Sequence, residues 1–180
     1  MRGTPITISG PPGSGKTTSA RRLGERLHRE VVSVGELFRA MARERSLDLV
    51  AFGELAAKDP RIDHDLDERM VGLASGTRVL EGRIIGELLY RRNLPVYRIQ
   101  LTAREEVRAE RISSRENLPT ATVLERMRSR ETNERERYYH FYGIDLDHLA
   151  FERTVDTSDL TPEGVVGLLL EGLPPELHPS

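Results

Sequence analysis

Short apolar runs alternate with longer amphipathic stretches along almost the whole chain. Five runs have the length and composition of buried strands: residues 6–8, 31–34, 78–81, 96–101 and 154–156. The stretches between them carry apolar residues at helical spacing, as Ala20, Leu23 and Leu27 do after the first strand. Strands that are separated by helices pair in parallel through right-handed crossovers. The pattern therefore predicts a three-layer α/β/α fold with a five-stranded parallel sheet, a class that binds ligands at the carboxyl ends of its strands.

The helical segments differ in how clearly their ends are marked. We predict helices over 16–28 and 120–142, and two or three short helices between 36 and 74. Thr102 and Glu105 have the spacing of a capping box and predict a helix start there. Thr161 is expected to cap the last helix, with Pro162 at its first position.

Composition limits the classes of protein to consider. At 180 residues the chain predicts one domain, and with 37% hydrophobic residues it has no apolar run of the roughly 18 residues that a membrane span needs. A net charge of −2 argues against a nucleic-acid polymer as partner. Cysteine is absent and no signal segment precedes the first strand, so we expect a cytoplasmic protein. The 27 basic residues include only two lysines, Lys16 and Lys58.

A glycine-rich loop follows the first strand and matches G-x-x-x-x-G-K-[ST] at every fixed position. It reads Gly10-Pro11-Pro12-Gly13-Ser14-Gly15-Lys16-Thr17 and is followed by Thr18. Glycines let backbone N–H groups surround phosphate oxygens, and the next helix adds its positive end. Lys16 would reach the β- and γ-phosphates and the Thr17 hydroxyl would bind Mg²⁺. The loop predicts a P-loop nucleoside triphosphate site. A GTPase is excluded, because no Asn-Lys-x-Asp loop is present.

Arginines stand where a second phosphate would bind. Arg39 follows the second strand, and the third strand ends in Glu81-Gly82-Arg83. If both strand ends open near the phosphate loop, Arg39 and Arg83 converge on an acceptor phosphate, which arginine binds bidentately. Surface charge is the competing explanation for Arg39.

Residues 104–137 are saturated with arginine and glutamate and poor in apolar side chains. Many of these charges belong on a solvated face, yet the segment also suits a mobile helical lid that closes over anionic substrates. Tyr138, Tyr139, Phe141 and Tyr142 are expected to anchor its end to the core.

Asp63 and Asp67 share one face of a predicted helix. Two explanations stay open. Acidic residues are common near helix N-termini, and carboxylates could also accept hydrogen bonds from the base or sugar of a substrate.

Several motifs in order resemble one family. They are Gly35-Glu36-Leu37-Phe38-Arg39-Ala40-Met41-Ala42, Ile62-Asp63-x-x-x-Asp67-x-Arg69, Leu80-Glu81-Gly82-Arg83, Arg108-Ala109-Glu110-Arg111-Ile112-x-x-Arg115-Glu116, and Arg137-Tyr138-x-x-x-Tyr142-Gly143-Ile144-Asp145. Together with the phosphate loop they resemble the nucleoside monophosphate (NMP) kinases, and most closely the short archaeal-type cytidylate kinases. Two positions depart from that pattern: Lys16, where archaeal relatives often have Thr, and Ile84, where bacterial cytidylate kinases typically have Asp.

The resemblance implies transfer of a phosphoryl group from ATP to CMP or dCMP with Mg²⁺, on a core, an NMP-binding region and a lid. We expect the protein to be a monomer. It implies a core over about 1–34, 77–107 and 145–173, an NMP-binding region over about 35–76 and a lid over about 108–140. Lys16, Arg83, Arg115, Arg130 and Arg137 would be catalytic, and Arg111 would join the phosphate loop in binding ATP. The NMP would be bound by Gly35, Arg39, Asp63, Asp67, Glu81, Gly82 and Arg83, and Glu81 would also face the metal through water.

Other functions fit part of the pattern. The chain could be a P-loop kinase for another NMP or for a small metabolite such as a sugar or an acid. It could also be an ATP-binding regulatory module that has lost transfer, although such a module has no use for the acceptor arginines.

Overall fold

The five strands form one parallel sheet in the order β2-β3-β1-β4-β5. The structure, a computed structural model, describes residues 3–74 and 76–179, without the side chains of residues 49 and 50. The strands are β1 (Ile6–Ser9), β2 (Val31–Ser33), β3 (Val79–Glu81), β4 (Tyr97–Thr102) and β5 (Arg153–Asp156). All five predicted strands are confirmed, with ends that shift by one residue. Strand β1 lies at the centre, so the phosphate loop that follows it opens between the ends of β3 and β4.

The described part of the chain holds eight α-helices. They are α1 (Lys16–Leu27), α2 (Val34–Glu44), α3 (Leu49–Lys58), α4 (Pro60–Gly72), α5 (Ile85–Arg91), α6 (Glu105–Glu116), α7 (Thr120–Tyr142) and α8 (Pro162–Glu171), followed by a 3₁₀ turn at Pro175–Leu177. Helix α5 was not predicted; it has only seven residues and begins shortly after Gly82-Arg83. In the described part, no helix is both long and apolar enough to cross a membrane.

One of the two predicted helix caps is wrong. Thr102 is the last residue of β4, and α6 begins at Glu105 with Arg104 as an N-cap that makes no side-chain capping bond. Thr102 pairs with Asp156 of β5, and its carbonyl accepts from the Thr157 N–H at 2.8 Å, so strand pairing overrides the local capping pattern. The cap of α8 is confirmed, since Thr161 Oγ1 accepts from the Gly164 N–H at 3.1 Å.

The main core lies between the sheet and helices α1 and α8. Ile6, Ile8, Ile99 and Leu101 of the two central strands are fully buried there. Thr7 and Ser9 of β1 are buried as well, which is expected of a parallel strand that is covered on both faces. This packing fixes the strand end from which the phosphate loop leaves.

Helices α6 and α7 pack on each other through a small apolar cluster of their own. Ala109 and Ile112 of α6 contact Val123 and Met127 of α7, so the pair is held together better than its polar sequence indicates.

Only part of the aromatic anchor is confirmed. Tyr138 and Tyr142 pack beside Ile144 and Leu88. The prediction is wrong for Tyr139 and Phe141, which are 68% and 44% exposed. On a helix, residues at i and i+4 share a face, so only one pair of these aromatics can turn towards the core.

Candidate active site

The phosphate loop joins β1 to α1 with three glycines at positive φ: Gly10 at 151°, Gly13 at 80° and Gly15 at 90°. At Gly13 a side chain would also meet the carbonyl oxygen of Arg108 at 2.7 Å, so glycine is required there. Gly15 is the N-cap of α1 and makes no side-chain capping bond. The first N–H groups of α1 therefore point towards the loop, as an anion site requires.

Lys16 lies inside the loop. Its Nζ donates to the Pro11 carbonyl at 2.9 Å. Burial lowers the pKa of Lys16 to about 8, and the Glu81 carboxylate opposes that shift. A bound triphosphate would place negative charge beside this buried ammonium and would favour its charged form.

A cleft of about 920 Å³ runs along the carboxyl edge of the sheet and contains the loop. It brings together nearly all of the residues that the sequence predicted for the site. Those that line it are Gly10, Pro12, Gly13, Ser14, Gly15, Lys16, Thr17, Thr18, Gly35, Arg39, Asp63, Asp67, Glu81, Gly82, Arg83, Arg111, Arg115, Arg130 and Arg137. Pro11 does not line this cleft and contributes only the carbonyl that Lys16 contacts.

The ends of β2 and β3 form one wall of the cleft. Ser33 Oγ donates to Glu81 Oε2 at 2.6 Å, and both residues are buried. At Gly82, a side chain would come within 2.4 Å of Val34 Cγ2, so the chain can turn there only with glycine. Arg83 follows, and its guanidinium faces Glu134 of α7 with Nε and Oε2 3.3 Å apart.

Helix α4 brings two carboxylates to the same side. Arg137 Nη1 lies 3.4 Å from Asp63 Oδ2, and the Tyr142 hydroxyl donates to Asp67 Oδ2. Burial raises the pKa of Asp63, which Arg137 opposes, and burial raises the pKa of Asp67 to about 6. These contacts connect α4 with α7 across the cleft.

Thr157, after β5, is the junction on the opposite side of the loop. Its buried hydroxyl lies 3.1 Å from the carbonyls of Ser14 and Thr102 and accepts from Arg111 Nη1 at 2.9 Å. Arg111 Nη2 also donates to the Thr157 carbonyl at 2.6 Å. Helix α6 is thus joined to the phosphate loop and to the sheet.

Buried polar atoms without a hydrogen bond are concentrated in the cleft. Seven buried side-chain atoms of the described residues make no hydrogen bond, and five belong to cleft residues. The five are Ser14 Oγ, Asp63 Oδ2, Arg83 Nε, Glu134 Oε2 and Arg137 Nε. Three of them face an ion-pair partner instead, Asp63 Oδ2 with Arg137 and Arg83 Nε with Glu134 Oε2. Buried polar groups ordinarily make hydrogen bonds, so this concentration of unused hydrogen-bonding capacity indicates a binding site for a polar ligand.

Three site features escaped the sequence analysis. Arg108, which we assigned to the charged lid, is buried, and its Nη1 donates to the Pro12 carbonyl at 3.1 Å and contacts Glu131. Ser33 carried no signal beyond its place at a strand end. Glu134 was one of many glutamates in α7, although its spacing from Met127 places it on the apolar face of that helix.

The chain matches a sequence model of the cytidylate kinase-like family over residues 5–159. It is 41% identical over 167 residues to the cytidylate kinase of Methanocaldococcus jannaschii, covering 91% of this chain and 94% of that protein. It is 42% identical over 167 residues to the cytidylate kinase of Aeropyrum pernix, covering 92% and 96%.

Solved structures share the fold at low sequence identity. An uncharacterised protein from Eubacterium ventriosum superposes with a TM-score of 0.70 at 16% identity, covering 93% of this chain and 96% of that one. Shikimate kinase from Bacteroides thetaiotaomicron superposes with a TM-score of 0.61 at 15% identity, with the same coverage. These likenesses confirm the P-loop kinase fold.

Proposed function

The chain belongs to the cytidylate kinase-like family, and we propose that it transfers the terminal phosphoryl group of ATP to CMP or dCMP. That it is a kinase follows from relatives about 40% identical over nearly the full chain. The donor, the acceptor and the role of each residue are the proposal.

The observation that carries the proposal is a single cleft in which the phosphate loop lies between two walls that are built from different strands. Because β1 is central, the β2 and β3 ends with Arg83 lie on one side of the loop, and Thr157 after β5 lies on the other. A triphosphate bound to the loop would direct its base towards Thr157 and Arg111. Its terminal phosphate would meet the acceptor beside Arg39 and Arg83.

Arginine and lysine side chains supply the charge for transfer in this proposal. Lys16 would bind the terminal phosphates of ATP, and Arg39 and Arg83 would hold the acceptor phosphate in line with them. Arg115, Arg130 and Arg137 of the lid helices would close over the moving phosphoryl group. Phosphoryl transfer depends mainly on such positioning and charge stabilisation, so we assign no general base.

The residues present fit a magnesium ion bound largely through substrate. No group of three or more acidic, His or Cys side chains in the described part could hold a metal by itself. Mg²⁺ commonly takes one or two protein groups together with phosphate oxygens and water. The Thr17 hydroxyl lines the cleft. Glu81 Oε2 accepts from Ser33, and Glu81 Oε1 has no hydrogen-bond donor among the residues that the structure describes. When bound there, Mg²⁺ would offset charge on the phosphate oxygens.

Asp63 and Asp67 are the candidates for reading the acceptor base or sugar. Both line the cleft beside Phe38 and Leu66, which offer apolar surface to a ring. A carboxylate accepts hydrogen bonds from an amino or hydroxyl group, and cytosine has an exocyclic amino group where uracil has a carbonyl. Repulsion between that carbonyl and a carboxylate would disfavour UMP.

A coupled ADP-release assay with ATP and Mg²⁺ tests the proposal. CMP, dCMP, UMP, AMP, GMP and shikimate are offered at equal concentrations, and ATP hydrolysis without acceptor is the baseline. We expect turnover to be fastest with CMP or dCMP.

Lys16→Met is the matched control, because it keeps most of the length of the unbranched side chain and removes its charge. It should abolish transfer while circular dichroism shows an unchanged fold.

In the parent protein, turnover of CMP and dCMP at the baseline rate, or faster turnover of another acceptor, would contradict the assignment of substrate.

A further inference from the structure

Glu134 is a buried carboxylate on a helix that is otherwise highly charged and solvated. Val123 and Met127 of α7 are 1% and 4% exposed, and Glu134, two turns after Met127, is 7% exposed on the same face. The other glutamates of α7 are exposed or half-buried. Removing a carboxylate from water is costly unless charged partners receive it. The partners of Glu134 therefore indicate its role.

One carboxylate contacts two arginines that belong to different parts of the molecule. Glu134 Oε1 accepts from Arg130 Nε at 2.8 Å, one turn earlier on α7. Glu134 Oε2 lies 3.3 Å from Nε of Arg83, which follows β3 in the core. Glu134 is thus a bridge between α7 and the end of a central strand.

Both contacts use the Nε edge of the guanidinium, as a hydrogen bond in Arg130 and as a close ion pair without a hydrogen bond in Arg83. In the described part of the chain, no hydrogen bond engages Nη1 or Nη2 of either Arg83 or Arg130. Both side chains line the cleft that holds the phosphate loop. The guanidinium is a rigid planar fork, so fixing Nε fixes the direction of the two terminal nitrogens. Those nitrogens are the ones left to bind phosphate oxygens.

We propose that Glu134 is a positioning residue that holds Arg83 and Arg130 by their Nε atoms and directs their free nitrogens at the transferred phosphoryl group. The inference rests on the proposed function. It also couples lid position to catalysis. Because Arg83 lies on the core and Glu134 on α7, the bridge forms only while α7 lies against the end of β3. The two arginines are then already in place when negative charge develops on the phosphoryl group in the transition state. Donors that are positioned in advance in this way lower the barrier most.

The same contacts could instead make Glu134 a competitor that occupies the arginines until a substrate phosphate displaces it. The two roles predict opposite effects of removing the charge. A positioning carboxylate supports the rate, whereas a competitor lowers the affinity for the acceptor.

Glu134→Gln separates the two roles with little change in shape. An amide has one acceptor oxygen, and its NH₂ group would face the second Nε–H, so the bridge cannot form. We expect kcat to fall about 10- to 100-fold, because small misplacements of catalytic groups cost that much. KM for ATP and for the acceptor should stay within about threefold. Glu136→Gln, which removes an exposed carboxylate from the same helix, should keep the parent kinetics.

Nuclear magnetic resonance of the ligand-free protein gives a readout that does not depend on turnover. With ¹⁵N-labelled arginine, the Nε–H signals of Arg83 and Arg130 should exchange slowly with water in the parent and in Glu136→Gln. They should exchange at least tenfold faster in Glu134→Gln. If Glu134→Gln does not fold, Glu134→Asp, whose shorter side chain cannot reach both arginines, takes its place in both experiments.

Two outcomes would overturn the inference: unchanged Nε–H exchange in the variant, or a lower acceptor KM with undiminished kcat. Failure of the proposed function would look different. The parent would then turn over none of the nucleotide acceptors, while the exchange experiment would still decide whether Glu134 holds the two arginines.

Discussion

The lowered pKa of Lys16 predicts that the protein takes up a proton when it binds ATP. Burial lowers the pKa of this side chain to about 8 in the ligand-free protein. The neutral amine is therefore the major form above that pH. Triphosphate oxygens favour the charged form, so binding raises the pKa back towards the ordinary value of 10.5. The sign is fixed: a group whose pKa rises on binding takes up protons.

The size of the effect follows from the same two values. At pH 9, a group with a pKa of about 8 is about one tenth protonated when free, and nearly fully protonated when its pKa is near 10.5. Binding at pH 9 should take up about 0.9 proton, and at pH 7 only about 0.1. Affinity for ATP should accordingly fall about tenfold per pH unit above pH 8.

Titration calorimetry measures this uptake directly. A non-hydrolysable ATP analogue is bound at pH 7 and at pH 9 in pairs of buffers that differ in ionisation enthalpy. The slope of the apparent enthalpy against the buffer enthalpy gives the number of protons. Lys16→Met lacks the titrating amine and should show no extra uptake at pH 9. Equal uptake by the two proteins at pH 9 would refute the reasoning, because the proton would then belong to another group.

Two further predictions concern stability and acceptor binding. Burial raises the pKa of Asp67 to about 6, so its proton stabilises the fold below pH 4 and that contribution is lost as the pH rises through 6. In urea unfolding, the free energy of unfolding of Asp67→Asn should rise relative to that of the parent by up to about 3 kcal/mol between pH 4 and pH 6. Parallel curves of unfolding free energy against pH would contradict this prediction. Arg39 lines the cleft with no ion-pair partner among the described residues, so Arg39→Ala should raise the acceptor KM about 10- to 100-fold. Exposed Arg43, one turn further along α2, is the matched control, and equal effects of the two substitutions on KM would argue against an acceptor site at Arg39.

The fold could be predicted because its signals are local. Each strand is a short apolar run, and the phosphate loop is a continuous motif that demands glycine at fixed positions. The site followed from one topological rule, since parallel strands bring Glu81 and the phosphate loop to the same edge. Helix α5 was missed because it has only seven residues, and the Thr102 cap was wrong because strand pairing overrode the local capping pattern.

The contacts of helices α6 and α7 could not be predicted in the same way. Arg130 and Glu134 are four residues apart and have the spacing of an ordinary surface ion pair. Glu134 also contacts Arg83, which is about fifty residues earlier in the sequence. The two side chains meet only because α7 packs over the end of β3. Arg108 of α6 and Glu131 of α7 form a second ion pair between elements. A charge pattern along one helix carries no information about a partner on another element.

Arginine and lysine occupy different positions in this cleft for physical reasons. Arg83 and Arg130 each contact a carboxylate through Nε and keep two further nitrogens in a rigid planar arrangement for another ligand, a geometry that the ammonium of lysine does not offer. Lys16 is different, because it must shift from the Pro11 carbonyl to a phosphate, and a compact ammonium on a flexible stem suits that exchange. Its pKa can also be lowered by burial, whereas a guanidinium stays charged. Exchanging the two residue types at these positions should therefore impair the site in both directions, through lost anchoring of the arginines and lost mobility of the lysine.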